Sequence, residues 1–253
     1  RRHPPACPGH RGPSREIRAA GYRAAKFGWG PYGLGTPADD ADQVAAAREG
    51  LGDEGVLLVD AGTVWLDDVA RAQERLPALQ SAHAAWLEEP FVSGATAAYA
   101  ELAALAGPVR LAGGEGSHNP YMAMQMIDHA AIGYVQIDAG RIGGITSARQ
   151  VAQYAHARGC HYVNHTFTSQ LALSASLQPY AGYQAWELCE YPVEASPMAR
   201  AITRDALGRD ADGLIHLPEA PGLGLDVDTD AIAAYQVDVE IVVNGRTLYR
   251  SPA

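Results

Sequence analysis

Cysteines, basic side chains and long apolar runs are all scarce in this chain of 253 residues. The three cysteines, Cys7, Cys160 and Cys189, are odd in number and show no C-x-x-C spacing, so they predict neither a disulfide framework nor a zinc cluster. Lysine and arginine total 19 against 29 aspartates and glutamates, and this negative balance argues against nucleic acid or an anionic membrane as a partner. No apolar run approaches the ~18 residues of a membrane span and no secretory pattern is visible, so we expect a soluble cytoplasmic protein.

Short apolar runs alternate with alanine-rich segments of helical period from about Ile17 onward. The runs that predict strands are YRAAKFG, VLLVDAG, AAWLEEP, VRLAGGEG, YVQIDAG, HYVNHTF and WELCEY. The segments that predict helices are ADQVAAAREGLG, DDVARAQERLPALQ, ATAAYAELAALAG, YMAMQMIDHAA and ITSARQVAQYAHARG. This alternation indicates βαβ units and a parallel sheet. We assign residues 17–215 to this domain and 216–253 to a closing segment and tail, and we expect residues 1–16 to be disordered or foreign to the fold.

A titratable residue stands at or near the end of every predicted strand. These residues are Lys26, Asp60, Glu88, Glu115, Asp138, His165 and Glu190. In a (β/α)8 barrel the C-terminal strand ends meet on one face, where the active site is built, so these side chains would share a cavity. A doubly wound open sheet would place them along an edge, and no G-x-G-x-x-G follows the first strand. The pattern therefore favours an α/β fold of the TIM-barrel type.

Three consecutive predicted strands end in carboxylates, at Asp60, at Glu88 with Glu89 beside it, and at Glu115. Three carboxylates in one place cannot all stay ionised without a cation, and oxygen ligands suit Mg²⁺ or a similar hard metal. Each residue alone would more often be a solvated strand end or a helix N-cap. Their recurrence at barrel spacing favours a metal site.

Asp138 and His165 end two adjacent predicted strands. An aspartate that accepts a hydrogen bond from one imidazole nitrogen raises the basicity of the other, which makes the histidine a candidate proton-abstracting base. A lone histidine in such a strand is more often a core residue with satisfied hydrogen bonds. The aspartate one βα unit earlier favours the catalytic interpretation.

The motifs AAKFG, LLVDAG, WLEEP, GGEGS, QIDAGRIGGIT and VNHTF, in this order, resemble the mandelate racemase subgroup of the enolase superfamily, which includes muconate lactonizing enzymes. The resemblance covers about residues 17–240, and LPEAPGLGLDVD resembles the family's segment after the barrel. It implies a barrel that binds Mg²⁺ through Asp60, Glu88 rather than Glu89, and Glu115. It also implies a catalytic pair of His165 with Asp138.

The resemblance further implies a small-molecule carboxylate as substrate. The substrate would chelate Mg²⁺ while the base removes the proton from its α-carbon, and Glu190 would hydrogen-bond the substrate carboxylate. Lys26 would add positive charge there, although a strand-end lysine can also simply extend toward solvent. For the intact protein we expect a homo-oligomer.

The chain departs from the family pattern at Gly28, where the racemases carry a second lysine that serves as the opposite base. A single base, His165, predicts a lyase that removes water from a sugar acid, either an aldonate or an aldarate. His118 is a candidate acid or substrate contact. Two alternatives stay open, a racemase or epimerase with an opposing base such as His118, and a barrel fragment or binding protein with vestigial ligands.

The chain is also shorter than the family pattern. Members begin with a capping domain of over a hundred residues and a first barrel strand, and neither is recognised before EIRAAGYRAAK. We therefore expect an N-terminally truncated barrel without the loops that select the substrate, with one open sheet edge. Whether such a chain is active by itself stays open.

Overall fold

The computed structural model describes residues 11–182 and 188–251. Six parallel strands form one curled sheet in the order of the chain, β1 to β6, and β7 and β8 form a separate antiparallel hairpin. The strands are β1 Ala24–Phe27, β2 Val56–Asp60, β3 Ala84–Glu88, β4 Arg110–Gly113, β5 Tyr134–Asp138, β6 His161–His165, β7 Glu240–Val243 and β8 Arg246–Arg250. The curled sheet with its helices is a half-barrel of the α/β class, as the sequence predicts.

In the described residues, α-helices precede β1, lie between the successive parallel strands and follow β6. They are α1 Arg11–Ala19, α2 Pro37–Leu51, α3 Val69–Gln73, α4 Leu76–Ser81, α5 Thr96–Leu105, α6 Pro120–His129, α7 Ile145–Ala157, α8 Gln170–Leu177, α9 Pro197–Ala201 and α10 Thr229–Ala233. Within the described residues, no helix is both long enough and apolar enough to cross a membrane.

Local sequence explains where these helices begin and end. A capping box opens α2, because the Thr36 side chain accepts from the Asp39 N–H while the Asp39 carboxylate accepts from the Thr36 N–H. The single helix predicted over residues 67–80 is wrong, since it divides into α3 and α4. Pro77 has no N–H to continue the first helix, and it stands instead at the start of the second.

Both faces of the sheet are buried, which is typical of a parallel sheet. Alternate side chains such as Leu57, Val59 and Leu87 pack under the outer helices in the main core. The residues between them face the inside of the curl, where a small buried apolar cluster forms. Its members are Leu58, Trp86, Ala112 and Val163, which we call the inner cluster. Polar strand ends lie two residues beyond three of these members, on the same face.

Two expectations about the edges of the domain are wrong in the described residues. Residues 11–16 are not disordered but form part of α1, since Ser14 is fully buried and Ile17 packs against the main core. The strand predicted at WELCEY is absent over residues 188–191, because the N–H of Glu190 bonds to a side chain rather than to a neighbouring strand. Residues 183–187 of that region lie outside the described part of the chain.

The region after residue 215 has little burial. The strands β7 and β8 are exposed along their whole length, and an isolated antiparallel bridge joins Thr203 to Val227. Cys160 is buried and Cys189 is half-buried, and both are free thiols, whereas Cys7 lies outside the described residues.

Candidate active site

The register of the sheet brings the predicted site residues together in pairs. Asp60 pairs with Glu88 between β2 and β3, and Asp138 pairs with His165 between β5 and β6. All six strands are parallel, so these residues lie at the same, C-terminal, edge. The polar cluster therefore stands directly above the inner cluster of apolar side chains.

Lys26 is the centre of one half of the polar cluster. Its Nζ lies 2.6 Å from Glu88 Oε1, 2.7 Å from Glu190 Oε1 and 3.6 Å from Asp60 Oδ2. Burial alone would lower the pKa of Lys26, but the carboxylates, led by Glu88, raise it well above its usual value. Lys26 is therefore a fixed positive charge, and it joins two of the three predicted metal ligands to the predicted substrate-binding glutamate.

Glu88 and Asp60 are buried carboxylates that both form ion pairs with the Lys26 ammonium group. Glu88 is fully buried, and its Oε2 accepts a hydrogen bond from Trp86 Nε1 at 3.2 Å. Burial raises the pKa of both carboxyl groups, and Lys26 opposes the shift. Because both Glu88 oxygens accept hydrogen bonds, the contacts stabilise its ionised form and the ion pair with Lys26.

His165 and Asp138 form the pair that the sequence predicts. Nδ1 of His165 lies 3.0 Å from Asp138 Oδ2, and the other aspartate oxygen accepts from the N–H groups of Gly140 and Arg141. Partial burial raises the pKa of Asp138, but these hydrogen bonds outweigh it and the net pKa is lowered. An ionised aspartate can only accept a hydrogen bond, so Nδ1 of His165 carries the proton in this contact.

The Glu115 side chain does not face Asp60 and Glu88. Its Oε2 lies 3.1 Å from His165 Nε2, and its Oε1 lies 2.9 Å from Arg141 Nη1. Arg141 is a site residue that the sequence reasoning did not single out, although it lies within the motif DAGRIGG. Its spacing three residues after Asp138 is the signal that could have found it, because the same turn supplies an N–H to that aspartate.

The side chains as they stand do not enclose a metal ion. In the described part of the chain, no three His, Cys, Asp or Glu side chains are arranged so that they could hold one. Asp60 and Glu88 face Lys26, whereas Glu115 faces Arg141 and His165, so the convergence expected from the sequence is not present in this arrangement. The donor chemistry does fit a hard cation, since all three are carboxylates and burial raises the pKa of Asp60 and Glu88.

Glu89 is a second residue whose environment the sequence did not reveal. It is buried, and its backbone has a φ of 39°, a left-handed conformation that is strained for a residue with a side chain. Burial, Glu115 and Asp60 together raise its pKa to about 8. The sequence feature that could have indicated this buried environment is its position directly after Glu88, the last residue of β3.

The comparison with known families agrees with this geometry. The family model described as Enolase C-terminal domain-like matches residues 14–231. The chain belongs to the enolase superfamily. The TIM-type barrel and the family resemblance that the sequence motifs predict are thereby confirmed.

Individual enolase-superfamily relatives match most of this chain. It is 30% identical to the 3,6-anhydro-alpha-L-galactonate cycloisomerase of Streptomyces coelicolor, over 87% of the chain and 56% of the relative. It is also 30% identical to a D-mannonate dehydratase from a Caulobacter species, over 75% of the chain and 46% of the relative. The crystal structure of a predicted mandelate racemase from Rhodobacter sphaeroides is 53% identical with a TM-score of 0.88, over 96% of this chain and 62% of the other. The chain spans about half the length of these curated relatives.

The enolase-superfamily position of the second lysine is closed to any side chain in this protein. Gly28 has a φ of 120°, and a Cβ placed on it would lie 2.5 Å from the backbone oxygen of Asp60 and 3.2 Å from Tyr32 Cβ. Real Cβ atoms do not approach a backbone oxygen so closely. The glycine is therefore required by the close approach of β1 and β2, and no base can stand at this position without a backbone shift.

The two predicted substrate-contact residues have different surroundings. Glu190 joins the cluster, because its Oε1 meets Lys26 and its Oε2 accepts from the Thr166 N–H at 2.6 Å. His118 is exposed in the loop before α6. No hydrogen bond or ion pair joins His118 to the cluster among the residues that the structure describes.

Proposed function

We propose that this protein is a Mg²⁺-dependent dehydratase of a sugar acid. His165 removes the proton from the carbon next to the carboxylate, the neighbouring carbon loses its hydroxyl group, and the enol that remains becomes a 2-keto acid. The observation that carries the proposal is one oriented base, His165 with Asp138, opposite a position where Gly28 excludes a second base.

The chain's own residues account for the movement of the proton. Asp138 holds the Nδ1 proton of His165, so Nε2 is the basic site once its contact with Glu115 is broken. After proton removal, the imidazolium is stabilised by the same aspartate and can protonate the departing hydroxyl as water. The atoms balance, because the proton taken from carbon and the hydroxide lost from its neighbour leave together as one water molecule.

Two contacts must change before a substrate can react. Nε2 of His165 is engaged with Glu115, and Lys26 is engaged with Glu88 and Glu190. Asp60, Glu88 and Glu115 are the residues that would hold Mg²⁺, which when bound would supply positive charge to the substrate carboxylate as negative charge develops. Glu115 turned toward Asp60 and Glu88 would leave Nε2 free for the substrate.

Lys26 and Glu190 are placed to bind the carboxylate end of the substrate. The Lys26 ammonium group would supply positive charge, and Glu190, beside it, would donate a hydrogen bond to the substrate carboxylate when it carries a proton. A positive charge that is already in place stabilises an anion that develops during the reaction.

A second candidate is a cycloisomerase that opens a ring of a sugar-acid derivative. It is favoured by the name of the Streptomyces coelicolor relative, and it uses the same first step. If the oxygen that leaves is part of a ring, the ring opens and no water is lost. Racemisation or epimerisation is supported less, since inversion needs a second base on the opposite face.

The test is a screen of aldonic and aldaric acids and their lactones with Mg²⁺, in which 2-keto acids are detected by semicarbazide absorbance. We expect keto acid from at least one free acid, and none after EDTA treatment or with His165→Asn. Mg²⁺ titration by calorimetry provides a readout without turnover, and Glu88→Gln should weaken binding while His165→Asn leaves it intact. Keto acid formed equally by the His165→Asn variant, or no reaction with any compound in the presence of bound Mg²⁺, would contradict the proposal.

A further inference from the structure

The outer edge of β6 is completed by side chains in the described part of the chain. On its inner edge β6 pairs with β5. On its outer edge the N–H of Asn164 donates to Tyr180 Oη at 2.9 Å, and the N–H of Thr166 donates to the Glu190 carboxylate at 2.6 Å. Unpaired backbone groups at a sheet edge must find such partners when they are buried.

The amide of Asn164 replaces a strand partner for Glu190. Asn164 Oδ1 accepts from the Glu190 N–H at 2.8 Å, and Asn164 Nδ2 donates to the Glu190 backbone oxygen at 3.0 Å. This is the two-way pairing that one residue of a neighbouring strand would provide, made here by one side chain. The backbone of Glu190 has one donor and one acceptor, so only one orientation of the amide satisfies both.

The remaining capacity of this amide is also used. Nδ2 of Asn164 donates to Ser176 Oγ at 3.0 Å, and Oδ1 lies 3.1 Å from Tyr180 Oη, whose single proton it shares with the Leu188 backbone oxygen at 3.0 Å. Asn164 is fully buried, and its two donors and two acceptor sites all have partners. A buried polar group satisfied in this way is rigid, because any rotation breaks several hydrogen bonds.

Glu190 depends on this clamp because residues 188–191 form no strand. With its backbone held, the carboxylate spans the gap between the two ends of the sheet, with Oε1 2.7 Å from Lys26 Nζ on β1 and Oε2 on the Thr166 N–H after β6. An error of about 1 Å in a substrate-binding group can lower activity strongly.

We propose that Asn164 is a positioning residue that clamps the backbone of Glu190 and so aims its carboxylate at Lys26 and at the substrate. Asn164 has no role in proton transfer. The inference rests on the proposed function for its effect on substrate, but the clamp itself can be tested without one.

The test compares wild type with Asn164→Leu, Glu190→Gln and the double variant. Asn164→Leu should raise KM for the sugar acid found in the screen by about tenfold or more, with a smaller effect on kcat. The change should add less than about twofold to KM when Glu190 is already glutamine, since the two residues act through one contact. Ser176→Ala is the matched control, because it removes another partner of Asn164 and leaves both bonds to Glu190, so KM should stay within about twofold.

Hydrogen exchange followed by mass spectrometry tests the clamp without substrate. The peptide containing residue 190 should exchange faster in Asn164→Leu than in wild type and Ser176→Ala, while peptides from β2 and β3 keep their protection. The exchange measurement tests the clamp even if no sugar acid reacts, because the absence of a reaction would contradict only the proposed function. Unchanged protection at residue 190, or KM effects that simply multiply in the double variant, would overturn the clamp. If Asn164→Leu does not fold, Asn164→Ala, which loses both the acceptor for the Glu190 N–H and the donor to the Glu190 oxygen, is used with the same expectations.

Discussion

Two basic residues, Lys26 and Arg141, form ion pairs with different carboxylates of the site. Lys26 holds Glu88 and Glu190, and Arg141 holds Glu115. Glu89 forms no ion pair with either in the described part of the chain, although both charges lower its pKa slightly. The cluster therefore contains more negative than positive groups, and its excess must be carried by a proton or by a bound cation.

Glu89→Gln is expected to remove a pH dependence of stability. Burial and the neighbouring carboxylates raise the pKa of Glu89 to about 8, whereas a glutamate in an unfolded chain titrates near about 4.3. Between these values the folded protein keeps a proton that the unfolded chain has released, so the free energy of unfolding falls as pH rises. The slope is up to about 1.4 kcal/mol per pH unit, and it ends above about pH 8.

Urea unfolding with EDTA, at several values from about pH 5 to about pH 9, measures this dependence. The loss of stability toward high pH should be clearly smaller in Glu89→Gln than in wild type. Glu101→Gln is the control, because Glu101 is exposed on α5, and it should follow the wild-type curve. Parallel curves for wild type and Glu89→Gln would show that Glu89 is ionised throughout this range.

Substitutions of the catalytic pair should have unequal effects. His165→Asn removes the base and is expected to abolish turnover while Mg²⁺ binding persists. Asp138→Asn keeps the imidazole and disturbs its tautomer and basicity, so it should cost less. Steady-state kinetics decide between the outcomes. Equal losses would show that the pair acts as one unit, and full activity of His165→Asn would move the base role to Lys26 or His118.

The sequence predicts well which residues lie at the site, but it does not predict the side-chain conformations of those residues. Strand periodicity placed Asp138 beside His165, because residues at the ends of adjacent parallel strands must be neighbours. It could not show that Glu115 bonds to Arg141 and His165, since the choice of rotamer depends on charges contributed by other strands.

At the scale of elements, the strand ends could be predicted from the sequence, whereas the irregular segments could not. The polar N-terminal sequence shows no hydrophobic period, so it did not predict α1. This helix packs against α2, with Ser14 buried and Ile17 partly buried against the main core. The run WELCEY has the composition of a strand, but the Asn164 side chain, rather than a neighbouring strand, forms the hydrogen bonds to the backbone of Glu190. No local sequence pattern predicts a contact between residues so far apart in the chain.

One buried ion pair stabilises the loop that carries Gly28. Asp40 on α2 accepts from the N–H of Gly33 at 2.9 Å and from Arg75 Nε at 3.0 Å, and both charged side chains are buried. Asp40→Ala leaves the arginine without its buried partner, so the free energy of unfolding should fall by about 3 kcal/mol or more.

Chemical denaturation measures this loss, and Glu74→Ala is the matched control. Glu74 also contacts Arg75, at 2.8 Å, but its own side chain is more than half exposed. Its removal should change the free energy of unfolding by less than about 1 kcal/mol. Similar decreases in the free energy of unfolding for both variants would show that the buried Asp40–Arg75 pair is no more stabilising than the exposed Glu74–Arg75 pair.

At the scale of the whole molecule, the half-barrel places all seven predicted strand-end residues on one edge or beside it. The family assignment followed from motifs at this spacing, because the barrel fixes one functional position per βα unit. In the proposed function, the chemical outcome depends on the lack of space at Gly28. A Cβ added there would lie 2.5 Å from the backbone oxygen of Asp60, which the sequence shows only as a glycine in place of a lysine.

The reaction run in D₂O with Mg²⁺ tests the single-base account most directly. Inversion at the α-carbon needs a proton delivered to the face opposite the one that lost it, and Gly28 has no side chain to deliver it. Elimination needs only His165 and a hydroxyl group on the next carbon. We expect mass spectrometry and NMR to show a 2-keto acid formed from the reactive sugar acid, with no deuterium-labelled epimer in the recovered substrate. Deuterium-labelled epimer without any keto acid would contradict the account and identify a racemase.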